Sequence, residues 1–269
     1  MSRTRRAVVS LLLALTMFTI MPVPVTSTLR ADRTAARPAI VWLPMIGVLL
    51  GAVAAVVLYG VHTLAIGPVG DYLAATLAIS VLAMATRCLH LDGLADTADG
   101  LGSRAAPARA LAIMRRSDIG PFGVVTLLLV IMVQISALAQ CMHLDVTFGM
   151  RAIVLATVTG RLAVVMACAR HVPSARPDGF GALVAAGLSR LTGWGWSVLT
   201  LGLAWLVANA TGGFREAILD VCAVLAGLVA AVVLRTIAVR RFGGVTGDVF
   251  GSLLETATTT VLVVLALGG

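Results

Sequence analysis

The chain has 269 residues, 59% of them hydrophobic, and a mean hydropathy of +1.03, well outside the range of soluble globular domains and therefore indicating an integral membrane protein. All 20 cationic side chains are arginines, and the net charge is +8. They punctuate apolar runs as topogenic charges do, so no nucleic-acid partner is expected.

Along the chain, Arg3, Arg5 and Arg6 precede an apolar run and Arg30, Arg33 and Arg37 follow it. Both flanks ask for the same side of the membrane, so Ala7 to Met21 is predicted to lie along the interface or to dip in and return, with Pro22 and Pro24 ending the helix. A signal peptide is the alternative reading of the same pattern. Apolar runs able to cross a bilayer, which takes roughly 20 residues, fall near 39–60, 66–86, 121–144, 151–169, 194–210, 217–234 and 249–267. The connections at 28–38, 87–120, 170–193 and 235–248 carry 3, 5, 3 and 3 arginines, whereas the opposite connections hold only Arg151 and Arg215. The positive-inside rule then puts the arginine-rich side in the cytoplasm of a multi-pass cell-membrane protein. The expected fold is an all-α polytopic bundle of about seven transmembrane helices plus the N-terminal interfacial or re-entrant helix. One membrane-embedded catalytic domain is expected over 1–269, with its active-site segment near 87–120. Cys88, Cys141, Cys168 and Cys222 match neither a zinc spacing nor a disulfide framework. Trp194 and Trp196 sit at a span start, as an interfacial belt requires. His62, His143 and His171 suggest no partner.

The segment from His90 to Arg104, HLDGLADTADGLGSR, places Asp92, Asp96 and Asp99 within eight residues. In a helix, offsets of four and three bring them to one face, about 5–6 Å apart. Like charges that close repel unless a cation lies between them. Mg²⁺ prefers oxygen ligands and shares its sphere between carboxylates and phosphates, so Asp92, Asp96 and Asp99 are the candidate ligands and the substrate is expected to be phosphorylated. Arg104 is placed to bind phosphate bidentately, with Ser103 beside it. His90, or an aspartate not engaged with metal, is the candidate general base. Downstream, Arg115, Arg116 and Ser117 are candidate phosphate contacts, and Asp118 is either a further metal ligand or the N-cap of the span that begins near Pro121. Asp248 and Glu255 are seven residues apart on one helical face, Glu255 roughly 10 Å deeper. An ionisable group at that depth is a functional-site candidate by default, and the expectation is that Glu255 faces the same cavity as the aspartates. The alternative for this pair is an internal salt bridge to Arg161.

Two resemblances follow from these residues. DTADGLGSR at 96–104 resembles the start of the CDP-alcohol phosphotransferase signature, but the later Gly-x-x-x-Asp-x-x-x-Asp portion is missing. A wider resemblance joins FTIMPVP at 18–24, HLDGLADTADGL at 90–101, IMRRSDIGPFG at 113–123 and GGVTGDVFGSLLE at 243–255. In this order the four are similar to the cobalamin synthase, or adenosylcobinamide-GDP ribazoletransferase, family. The third is the loosest, Arg115, Arg116, Ser117 and Asp118 standing where family members often show Lys-Asp-Ser-Arg. The resemblance implies that α-ribazole or its 5′-phosphate replaces GMP on adenosylcobinamide-GDP, with a Mg²⁺ requirement. A lipid-headgroup CDP-alcohol phosphotransferase and a cation-coupled transporter are the rival readings. The lipid bilayer and the two substrates are the expected partners, and assembly as a homo-oligomer is compatible with the sequence.

Overall fold

A computed structural model describes residues 3–21, 33–65 and 67–269. Among the described residues there are twelve helices and no strand, only the isolated bridges Ala169–Leu188 and Ser174–Val245. In chain order the helices are α1 (Arg3–Phe18), α2 (Arg33–Ile40), α3 (Leu43–Leu64), α4 (Pro68–Ala85), α5 (Leu89–Gly102), α6 (Pro107–Ile113), α7 (Pro121–Leu144), α8 (Val146–Ala167), α9 (Gly179–Val184), α10 (Arg190–Thr211), α11 (Phe214–Phe242) and α12 (Gly247–Gly268). Seven of them, α3, α4, α7, α8, α10, α11 and α12, are long and apolar enough to cross a membrane. This is the expected number of spans.

Local chemistry moves several boundaries from their expected places. Asp145 accepts from the Phe148 amide at 2.9 Å, so α8 begins five residues before 151. Ser189 and Thr246 cap α10 and α12 in the same way, accepting from the Thr192 and Val249 amides. α11 runs through Arg235, Arg240 and Arg241 to stop at Gly243, whose φ of 82° is a left-handed helix end. α1 ends at Phe18 because Thr19 turns its hydroxyl back to the Leu15 carbonyl at 2.7 Å and accepts from the Met21 amide at 3.1 Å. Pro22 and Pro24, expected to end this helix, lie outside the described residues.

Helices α8 and α12 form the centre, with 78% and 67% of their spans buried, against 28% for α7 and α10. The outer helices show Leu128, Leu129 and Met132, and Val198, Leu203 and Leu206, outward. Apolar side chains on that surface match a lipid solvent. The described cysteines are free thiols. His62 and His143 do have a partner after all: their Nδ1 atoms approach the buried Asp71 carboxylate at 3.0 and 3.5 Å, at the end of the bundle opposite α5.

One irregularity positions the site. Between α4 and α5, Arg87 and Cys88 both adopt left-handed backbone, φ 56° and 55°, which reverses the chain and folds α5 against the first turns of α12. The two helices touch backbone to backbone. A Cβ added at Gly93 would stand 2.6 Å from the Asp248 carbonyl oxygen, and one at Gly251 would stand 2.9 Å from that of His90.

Candidate active site

The crossing of α5 and α12 brings Asp92 and Asp96 to Asp248. Asp92 and Asp248 line one cavity of about 300 Å³. Asp96, one helical turn on from Asp92, is half-buried. Burial first, then the charges of Asp92, Asp248 and Asp99, push its carboxyl up to about 7 despite the opposing Arg176. Arg176 is the counter-charge. Its guanidinium lies 3.5 Å from the Asp248 carboxylate and donates to the Leu111 carbonyl at 2.8 Å.

The structure separates Asp99 from the other two aspartates of its helix. It is buried, and both its oxygens accept backbone amides from the first turn of α7: Gly120 N–H to Oδ2 at 2.7 Å and Gly123 N–H to Oδ1 at 3.0 Å. A carboxylate at a helix N-terminus satisfies otherwise orphaned donors and complements the dipole. Asp99 therefore does for α7 what the sequence suggested for Asp118, which is exposed and gives α7 no cap. Among the described residues no three His, Cys, Asp or Glu stand close enough to hold a metal ion by themselves.

The remaining wall of the cavity is apolar. Phe18 of α1, Phe180 of α9 and Phe250 of α12 meet edge to face, with ring centroids 5.7 and 6.2 Å apart. Phe18 also lies parallel to the His90 ring at 6.5 Å. His90 is buried, and desolvation, followed by the charge of Arg161, lowers its pKa to about 3. The imidazole is thus held neutral.

Glu255 does not join this cavity, contrary to the expectation that it would. His90 and Leu254 line both the cavity and a second, inner one of about 40 Å³, and Glu255 opens only onto the inner one. There Glu255 accepts from Gln134 Nε2 at 2.8 Å. Arg161 donates to the Thr157 carbonyl at 3.0 Å and its Nε has no partner. Nor does the alternative reading hold: no ion pair joins Arg161 to Glu255 or to Asp248.

The other sequence candidates are not among the residues that line the cavity. Arg104 is exposed and left-handed, φ 50°. Ser103 closes the end of α5, donating to the Gly100 carbonyl at 2.8 Å and accepting from the Ala105 amide at 3.2 Å. Arg115 pairs with Asp178 at 2.6 Å on the surface, while Arg116 and Ser117 are exposed. Arg176 and the three phenylalanines escaped the sequence reading. Arg176 sits in an arginine-rich connection and counts there as a topogenic charge. The phenylalanines come from elements more than sixty residues apart.

Comparison with known proteins gives one consistent result. The family model described as cobalamin-5-phosphate synthase matches residues 10–266. Adenosylcobinamide-GDP ribazoletransferase of Frankia casuarinae is 39% identical over 94% of this chain and 94% of its own length. Proteins of the same name from Nocardioides sp. and Desulforamulus reducens are 37% and 33% identical, covering 91% and 96% of the chain and 93% and 96% of their own lengths. No solved structure matches. The CDP-alcohol phosphotransferase and transporter readings gain no support from these matches. Over nearly its whole length, the chain belongs to the cobalamin-5-phosphate synthase family.

Proposed function

We propose that this chain joins α-ribazole, or its 5′-phosphate, to adenosylcobinamide-GDP with release of GMP, the final step of cobalamin nucleotide-loop assembly. The relatives that match more than nine-tenths of its length carry the name of that transferase. The observation that carries the reading to particular residues is the meeting of Asp92 and Asp248 at one cavity, with Asp96 in reach of both charges and Arg176 paired to Asp248.

The reaction needs little covalent help from the protein. An acceptor oxygen attacks the phosphorus attached to cobinamide, the phosphoanhydride bond to the GMP phosphate breaks, and GMP departs from the opposite side. Positioning and charge neutralisation dominate such transfers. Arg176 is placed to fork onto a phosphate beside Asp248. A carboxylate of the cluster accepts the proton lost by the attacking hydroxyl.

Mg²⁺ fits this donor set. Hard carboxylate oxygens are its preferred protein ligands, and it commonly takes one or two of them together with substrate phosphates. Burial is the larger cause of the raised Asp96 carboxyl, and the neighbouring carboxylates add a repulsion that a cation would relieve. Asp92 and Asp96 would hold it, with Asp248 adjacent, in place of the set of Asp92, Asp96, Asp99 and Asp118 expected from sequence. When bound, it would neutralise charge on the diphosphate and the departing phosphate. The arginine bias supports a cytoplasmic position for this end of the bundle in the cell membrane.

The test is GMP release from adenosylcobinamide-GDP by the purified chain given α-ribazole, with and without Mg²⁺. Release that needs both the acceptor and the cation sustains the reading. No release under either condition overturns it.

A further inference from the structure

The cavity beside the acid cluster has two unlike walls, and they point to what lies in it. One edge carries Asp92 and Asp248. The opposite wall is built by Phe18, Phe180 and Phe250, brought together from three separate helices, with the neutral His90 ring parallel to Phe18. Its volume of about 300 Å³ is at the small end of the range for sites that enclose drug-sized ligands, roughly 300–1,000 Å³. A corrin macrocycle with its side chains is far too large for it. A single nucleoside is not.

Of the two nucleosides in the proposed reaction, guanosine carries a base rimmed with hydrogen-bonding groups. An apolar wall would strip these of water without replacing it. The base of α-ribazole is a planar, largely apolar bicycle. Aromatic walls meeting edge to face hold such a ring through offset and edge contacts. We propose that the Phe18, Phe180 and Phe250 cradle is the subsite for the aromatic base of the acceptor, which seats the ribose at the carboxylates. The proposal rests on the transferase reading for the identity of the ligand. Its geometry stands on the cavity alone.

Phe180 is the ring to test, because it is half-buried on the short helix α9 whereas Phe18 and Phe250 are buried in the core. Binding of α-ribazole to the intact chain in micelles can be followed by the nucleoside's own fluorescence, without donor and without turnover. Phe180→Ala should weaken binding about 10-fold, the loss expected for an aromatic contact and its buried area. Phe180→Leu, which keeps apolar bulk, should weaken it less. Phe214→Leu, remote against Trp205, serves as the control and should change nothing. In turnover, Phe180→Ala should raise the KM for α-ribazole and not that for adenosylcobinamide-GDP.

Unchanged affinity in Phe180→Ala, or a rise confined to the donor KM, overturns the proposal, the second outcome assigning the cavity to guanosine. If Phe180→Ala does not fold, Phe180→Leu and Phe18→Leu are measured in its place, and unaltered binding in both is equally fatal. A chain that binds α-ribazole through Phe180 yet releases no GMP would sink the transferase reading and leave the cradle standing.

Discussion

Asp99 and Gly120, 21 residues apart in sequence, are joined by a 2.7 Å hydrogen bond from the glycine amide to the aspartate carboxylate, and Gly123 donates to the other oxygen at 3.0 Å. This pairing ties the end of α5 to the start of α7 and gives two aspartates of one motif different work. Asp99→Ala should lower stability by about 1–3 kcal/mol, the range for a charge-assisted hydrogen bond whose partners are left buried. Asp99→Asn, which keeps one acceptor, should lose less. Thermal unfolding of the two purified variants in detergent measures both.

Asp96→Asn should do the reverse, abolishing GMP release without loss of stability. Its carboxyl, pushed up to about 7, lies above the ordinary aspartate value of 3.8. Between these values the unfolded chain gives up a proton that the folded chain keeps, so this group's contribution to stability falls as pH rises from about 4 to 7. In chelator, the melting temperature of Asp96→Asn should therefore be flatter with pH over that window than that of the unaltered chain, and higher at its upper end. An equal slope in both proteins would contradict the burial and crowding assigned to Asp96.

Gly93→Ala should displace α5 from α12, because the added methyl meets the Asp248 carbonyl at 2.6 Å. The expected loss is about 1–3 kcal/mol from overpacking, with a fall in turnover since Asp92 and Asp248 separate. Gly60→Ala in α3, where nothing lies within 4 Å of the new atom, should instead gain about 0.5–1 kcal/mol from helix propensity. Paired melting curves and GMP assays distinguish the two sites.

Chelation with EDTA should stop GMP release and leave the melting temperature in place, since the helices pack through their own side chains and Asp99 is satisfied by backbone amides. Restored Mg²⁺ should recover the rate. Calorimetry and turnover on one sample check this.

Asp71→Asn alters a buried carboxylate held by His62 and His143 at the opposite end of the bundle. It should keep GMP release while lowering the melting temperature. A fall in rate matching that of Asp96→Asn would mean that the two ends are coupled.

Sequence alone reveals the spans well, because lipid solvation demands long apolar runs and α7 could be read to its ends from Pro121 and the run behind it. It reveals α5 as a crowded set of acids, and the crossing of α5 on α12 explains why Asp92 and Asp96 end up beside Asp248. The division of labour inside the motif is hidden, since Asp99 is defined by amides 21 and 24 residues downstream and no local spacing encodes them. Arg176 is hidden for a different reason: in an arginine-rich connection its charge does not differ from its neighbours. Glu255 is legible as a buried acid, but not its placement in a different cavity from Asp248, since that depends on how α12 packs against α5 and α7.

The reversal at Arg87 and Cys88 is fastened to α1. The Arg87 guanidinium donates to the Met17 carbonyl at 3.0 Å, and the Ile20 amide to the Ala85 carbonyl at 2.8 Å. Met17 and Phe18 roof the chamber whose floor and acids come from α5 and α12. Two stitches thus link the helix beside the chamber to the bend that places the aspartates, so a truncation removing α1 would uncover the chamber and slacken that bend in a single stroke.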